Sequence, residues 1–268
     1  VAWGKTEVAR LIVGELKPAM APAGFQYVKK DENFVRLIDG GRQMLGVALR
    51  NYDPLFVFSL TMTVRLDAVQ AITNRYSGSP PRYHGITTTS LTQLEFLGLP
   101  AERGKVEWRA SSESELASVL PGVVTLVRER VVPFFDEYRD VAALNRGLNP
   151  DGAEQVTQLP WPSDRRAFDA SNQPYRAMAG VTVARLAGDQ RWEQLVAAYR
   201  AQLSGGPDQD RQKFEGLVAH LHSLADAEPL SWPADVNEKR RFRVGLNARP
   251  EALWSPLDSQ SFTTGCPP

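Results

Sequence analysis

The stretch NRYSGSPPRYHG, residues 74–85, gathers Arg75, Tyr76, Arg82, Tyr83 and His84 in a segment broken by Gly, Ser and a Pro pair. Tyr and Arg carry much of the energy of protein–protein contacts, because each joins a large flat surface to a polar end. On a long exposed loop they would form a recognition tip. The same aromatics could instead fold back onto the body of the protein. Trp161, between Pro160 and Pro162, is a second candidate of this kind. His84 admits another chemistry: beside a carboxylate it could serve as general base in a hydrolase whose site is assembled from scattered residues. The run Lys239-Arg240-Arg241, with Phe242 and Arg243, is the one basic cluster. It suits a small nucleic-acid contact or an edge strand guarded by charge.

Other motifs fail on their spacing. Gly4-Lys5-Thr6 looks like the end of a phosphate-binding loop, but the first Gly of that motif would lie five residues earlier, outside this chain. His220 and His222 stand two apart on a helical stretch and so point to different faces; His84 would have to come to them from its loop. No G-x-S-x-G segment marks a nucleophilic serine. Cys266 is the only cysteine, three residues from the end between Gly and Pro-Pro, where a thiol is usually inert. The acidic pairs Asp136-Glu137 and Asp208-Asp210 sit where helix ends and surfaces carry charge. The expectation is therefore no catalytic residue, no metal and no cofactor.

Bulk composition narrows the classes further. The 31 basic and 31 acidic residues cancel, which argues against a nucleic-acid binder and a polybasic membrane anchor. No apolar run approaches the roughly 18 residues of a membrane span. One cysteine allows no internal disulfide, which fits a reducing compartment. The chain opens on Val1 rather than Met, compatible with a piece removed ahead of it, and its first residues mix charge into their apolar pattern unlike a signal peptide. A cytoplasmic protein is expected.

The elements that would position these residues are legible from periodicity. Val8, Leu11, Ile12 and Leu16 mark one face of a helix, ended by Pro18, Pro22 and Gly24. The period then drops to two. Short strands are predicted at 25–29 and 34–38, around the turn Asp31-Glu32-Asn33. A Gly-rich turn at Asp39-Gly40-Gly41 leads to a strand over 43–50. In LFVFSLTMTVRL, Phe56, Phe58, Leu60, Met62, Val64 and Leu66 alternate with a wetter set, the signature of a strand with one face on a core. Phe25, Tyr27 and Phe34 are read as hairpin residues, since aromatics favour half-buried strands.

After the loop, strands are predicted within 86–97 and 106–109. Ser112 and Glu115 form a capping box. Pro121 is expected to open a second helix at its first position, with Val124, Val127 and Val131 carrying the apolar face to Pro133. Segment 149–175 reads as a linker or crossing. Met178 to Leu186, the face Trp192, Leu195, Val196, Tyr199, Leu203, and the face Phe214, Leu217, Val218, Leu221, Leu224 read as a helical bundle. A strand is possible at 241–246. The expected class is α+β: an antiparallel meander covered on one face by helices over 1–148, a crossing to 175, a small bundle over 176–226 and an irregular tail over 227–268.

The first half resembles the bacterial family known as domain of unknown function 4304. The likeness rests on Leu16-Lys17-Pro18, Gly24-Phe25, the second hairpin strand with Phe34-Val35-Arg36, the alternating strand from Leu55 to Leu66, Trp108 in a strand, and Pro133-Phe134-Phe135. It covers roughly residues 5–148; the Pro-rich loop at 79–81 and the tail after Glu228 depart from it. The family brings no activity with it. Small α+β proteins of this look stand beside bacterial toxins as immunity partners, an analogy of fold. The expected function is thus a non-catalytic protein binder, an immunity protein neutralising a cognate toxin by stoichiometric binding, with a partner surface at Arg75, Tyr76, Arg82, Tyr83, His84 and Trp161. The alternatives are the hydrolase using His84 and, more weakly, a nucleic-acid accessory protein using Lys239 to Arg243.

Overall fold

The computed structural model describes residues 3–29, 31–99, 105–150, 168, 171 and 173–224. The architecture is α+β, an antiparallel sheet with helices on one face and a helical bundle after it. Helix α1 (Lys5–Met20) buries Val8, Ile12, Leu16, Ala19 and Met20. Strands β1 (Gln26–Val28), β2 (Asn33–Ile38), β3 (Gly41–Tyr52) and β4 (Leu55–Leu66) then pair in sequence order. Strands β5 (Ser90–Gln93) and β6 (Trp108–Ala110) share the far side of β4, β5 along Thr61–Val64 and β6 along Phe56–Phe58.

The alternation of β4 is the axis of the core. Phe56, Phe58, Leu60, Met62, Val64 and Leu66 are all buried. Register places Leu45 of β3 beside Met62 and Phe34 of β2 beside Leu45, so one inward row crosses the sheet. The opposite face stays more open, with Val35, Met44, Thr61 and Thr63 half-buried and Leu37 exposed. The hairpin aromatics take structural places: Phe25 packs on Phe135 with ring centroids 5.0 Å apart, and Tyr27 on Phe34 at 5.2 Å. Gly41 carries a steric requirement, because a Cβ there would stand 2.0 Å from the Arg65 carbonyl oxygen.

Three prolines that the sequence marks as helix boundaries lie inside helical runs. Helix α1 continues through Pro18 to Met20, and α3 (Glu113–Leu126) continues through Pro121. Proline removes the hydrogen bond to the carbonyl four residues back. Here those carbonyls belong to Gly14 and Ala117, both exposed, where water can satisfy them. At Pro133 the chain adapts instead. A single wide π turn, Val127–Val131, is closed by the Val132 N–H on the Val127 carbonyl, and helix α4 (Val132–Glu137) comes next. The wide turn makes room where the proline ring would crowd the Glu129 carbonyl. Ser112 caps α3, its Oγ accepting from Glu115 N, while Glu115 Oε2 reaches one residue past the cap and accepts from the N–H of Ser111.

Helix α5 (Val141–Leu148), capped by Asp140, is a further helix, whose sequence signal is Val141, Leu144 and Leu148 at i, i+3 and i+7. It leads towards the bundle of α6 (Gln173–Leu186), α7 (Trp192–Leu203) and α8 (Asp208–Ser223). Their core joins Met178, Val181, Trp192, Leu195, Tyr199, Phe214 and Leu217 to Ile72 of α2 (Asp67–Thr73), the short helix that continues β4. A polar network ties α5 in. Asn149 is buried; its Nδ2 donates to Asn145 Oδ1 and to the Gly180 carbonyl, and its Oδ1 lies 2.9 Å from the Tyr199 hydroxyl. Asn145 in turn donates to Asp189. Trp161, the strand expected at 241–246, the Lys239–Arg243 cluster and Cys266 lie outside the described residues.

Candidate functional site

Between α2 and β5 the chain makes the excursion that its sequence marks as a recognition loop. The loop backbone is held by side chains from the sheet. Arg65 of β4 donates through Nη1 to the carbonyls of His84 and Thr87, at 2.8 and 2.7 Å, while its Nε meets Asp67 at 2.6 Å. Arg42, the cross-strand neighbour of Arg65, donates through Nη2 to the carbonyl of Gly85. From the other side the amide of Asn74, itself buried, reaches the Thr87 hydroxyl at 3.0 Å. Two guanidiniums side by side on a sheet would repel. The loop carbonyls and Asp67 supply the negative ends that allow the pair. Burial, with Arg65 beside it, holds the Arg42 guanidinium below the ordinary arginine range.

The expected site residues divide accordingly. Arg75 and Arg82 are exposed. Tyr83 is half-buried beneath the Arg82 guanidinium, which sits 4.8 Å from its ring centroid. Tyr76 departs from the expectation of an exposed tip. It is half-buried, with its ring 5.8 Å from that of His220 and against Gly216, where a Cβ would stand 3.3 Å from Tyr76 Cδ1. The bundle thus offers Tyr76 an aromatic neighbour and a missing side chain, so burial there wins over presentation to solvent. Half-buried His84 places Nε2 2.7 Å from the Ser79 carbonyl, a bond the Nε2–H tautomer makes, so this ring nitrogen meets a peptide group and not a carboxylate. Ile86, 40% exposed, and Pro80 and Pro81, also exposed, complete the surface.

The histidines of α8 have separate settings. His220 faces Tyr76, while His222 packs edge-on against Trp192 and lies 3.8 Å from Glu193. Among the described residues no group of three or more His, Cys, Asp or Glu is placed to hold a metal ion. Gly4 begins α1 in extended conformation, its carbonyl accepting from Val8 N. Of the acidic residues marked in the sequence, Asp136 is engaged by Arg36, Asp208 by Arg211 and Asp210 by Lys213.

Arg42 and Arg65, which shape the loop, are not singled out by the sequence motifs. The available signal is a cation on the outward row of β4, opposite a second cation one hairpin away. Among the described residues no helix is long and apolar enough to cross a membrane. No family model, curated protein or solved structure matches this chain.

Proposed function

We propose that the chain is a non-catalytic binding protein that recognises a protein partner through the 74–87 loop, in the manner of an immunity protein occluding a cognate toxin. One observation carries this reading: Arg42, Arg65 and Asn74 fix the loop backbone while Arg75 and Arg82 remain at the surface. Holding a loop in its bound shape before the encounter removes an ordering cost that binding would otherwise have to overcome. Exposed arginines beside Tyr83 and Ile86 supply the residue types that anchor such contacts. The resemblance of residues 5–148 to domain of unknown function 4304 belongs to the same proposal and adds the bacterial setting.

The experiment is to express the tagged chain in its source cell, identify what co-purifies, and test the products of adjacent genes for toxicity relieved by this protein. A single stoichiometric partner, toxic alone, is expected. Replacing Arg75, Arg82 and Tyr83 together by alanine should then weaken the complex by at least about a hundredfold, the scale of two modest hot spots. Unchanged affinity in a folded triple variant would exclude this surface.

A further inference from the structure

We infer that the groove between the end of α1 and the π turn is a binding site for a carboxylate carrying a short apolar tail. The groove is open, encloses about 500 Å³, and is lined by Ala19, Pro22, Ala23, Val132, Arg36, Arg128 and Asp136. It is separate from the loop surface, and the inference goes beyond the partner-binding reading.

The groove is organised around Arg36. On β2 this residue occupies an inward position two after buried Phe34, so a cation stands where the alternation would place an apolar side chain. Its guanidinium is fixed on several sides. Nε donates to Gln43 Oε1 at 2.8 Å, Nη1 donates to the Ala23 carbonyl at 3.0 Å and to Asp136 Oδ1 at 2.7 Å, and the Phe25 ring lies 4.8 Å away. Gln43 is itself locked, donating to the carbonyls of Phe135 and Tyr138. The side chain keeps only 14% of its surface. Nη2 has no protein partner among the described residues, so a rigid guanidinium retains donor capacity at the groove.

Arg128 supplies the second cation. It is exposed, sits in the π turn, and has no partner among the described residues. Wide turns of this kind are frequent at functional sites because they change the direction in which side chains leave a helix. The charge balance selects the ligand. Two guanidiniums and one carboxylate leave a single positive charge in the groove. A carboxylate neutralises it and matches the planar fork of a guanidinium. A phosphate monoester would bring a second negative charge towards Asp136. Ala19, Pro22, Ala23 and Val132 offer small apolar contacts to the tail behind the carboxylate. The carboxylate could end a free organic acid or a polypeptide chain.

The test uses the whole chain, isotope-labelled, titrated with hexanoate, hexyl phosphate, and acetyl-Ala-Leu-Val with either a free or an amidated C-terminus. Saturable binding of hexanoate or of the free-acid peptide is expected, moving the NMR signals of Ala19, Ala23 and Val132. R128Q and R128E, at an exposed position, should each weaken it at least about tenfold with the melting temperature kept. A free-acid peptide that outbinds both hexanoate and its own amide would identify a chain terminus as the source; hexanoate binding more tightly would identify a small acid. Absence of saturable binding by either carboxylate, preference for hexyl phosphate, or indifference to R128Q would each overturn the site.

Discussion

Tyr199 occupies the space that a side chain at residue 180 would need: a Cβ on Gly180 would stand 2.3 Å from the Tyr199 hydroxyl oxygen and 2.5 Å from Cζ. Helices α6 and α7 approach closely there because α6 has no side chain at that point. The hydroxyl uses the approach to reach Asn149 Oδ1, and the Gly180 carbonyl accepts from the Asn149 amide. One missing methyl group thus permits both the packing and the polar link from the bundle to the end of α5.

Gly180→Ala should therefore destabilise the protein, although alanine is the better helix former. Overpacking of a filled core costs about 1–3 kcal/mol, which exceeds the roughly 1 kcal/mol gained from helix propensity. Urea unfolding should show a lower midpoint for the variant. A midpoint equal to or above that of the parent would mean that Tyr199 can move aside at no cost, and the close approach would lose its structural role.

The same network gives a pH dependence. Asp189 accepts from Arg191 Nε and Nη2, from the Arg191 N–H and from Asn145 Nδ2. The bonds from Arg191, reinforced by Asn145 against the opposing effect of burial, hold the Asp189 carboxyl well below its ordinary 3.8. A depressed carboxylate pKa stabilises the folded state above the unfolded value, and the contribution is lost as pH falls through the folded one. Asp189→Asn should cost about 2 kcal/mol at pH 7, the scale of hydrogen bonds to a charged group. The gap between parent and variant should narrow as pH falls below the ordinary carboxylate range. Chemical unfolding at pH 7 and pH 3 measures it; a gap that is constant with pH would show that the charge of Asp189 contributes nothing.

How far the sequence can be read depends on the distance over which its signals act. Strand β4 is legible because a period of two over twelve residues has one physical solution when a single face is buried. The turn at Gly40 is legible because its φ of 64° suits glycine. The prolines mislead because their cost depends on whether the freed carbonyl meets water, and that depends on which side of the helix faces the core. Arg36 and Gln43 look like flaws in an apolar pattern until Asp136 and the Phe135 carbonyl come to meet them. Those partners lie about a hundred residues away, where local periodicity carries no information. The burial of Tyr76 is hidden for a related reason: its neighbours His220 and Gly216 belong to the last described helix.

Gln43 tests whether that polar insertion holds the sheet to its helices. Its side chain is fully buried, and it bridges Arg36 to the carbonyls of Phe135 and Tyr138. Gln43→Leu keeps the bulk and removes every one of these bonds, taking the donor from the buried Phe135 carbonyl and from the part-buried Tyr138 carbonyl. A loss of about 1–3 kcal/mol is expected from the desolvation of an orphaned polar group. Gln43→Glu should be worse at high pH, because a carboxylate cannot donate to the two carbonyls, and should improve on acidification as its protonated form recovers a donor. Thermal unfolding across pH checks both variants; stability of Q43L equal to the parent would show that the carbonyls find water instead.

The loop poses the last test, because its shape and its contact residues are encoded in different places. Arg65 is 12% exposed and donates inward to the His84 and Thr87 carbonyls, so it reaches the loop from behind. Arg65→Met keeps the stem of the side chain and deletes the guanidinium. It leaves Arg42 on Gly85 and Asn74 on Thr87 to hold the loop, and removes the partner of the Asp67 carboxylate. The loop should then open locally, with faster amide exchange over 76–87 and cleavage by proteases near Arg82, while the sheet keeps its protection. Affinity for the protein partner should fall through slower productive association, since the loop must order on binding. Arg82→Ala should instead leave exchange unchanged and act on dissociation. If R65M loosened the loop without any effect on binding, preorganisation would be irrelevant and the exposed arginines alone would carry recognition.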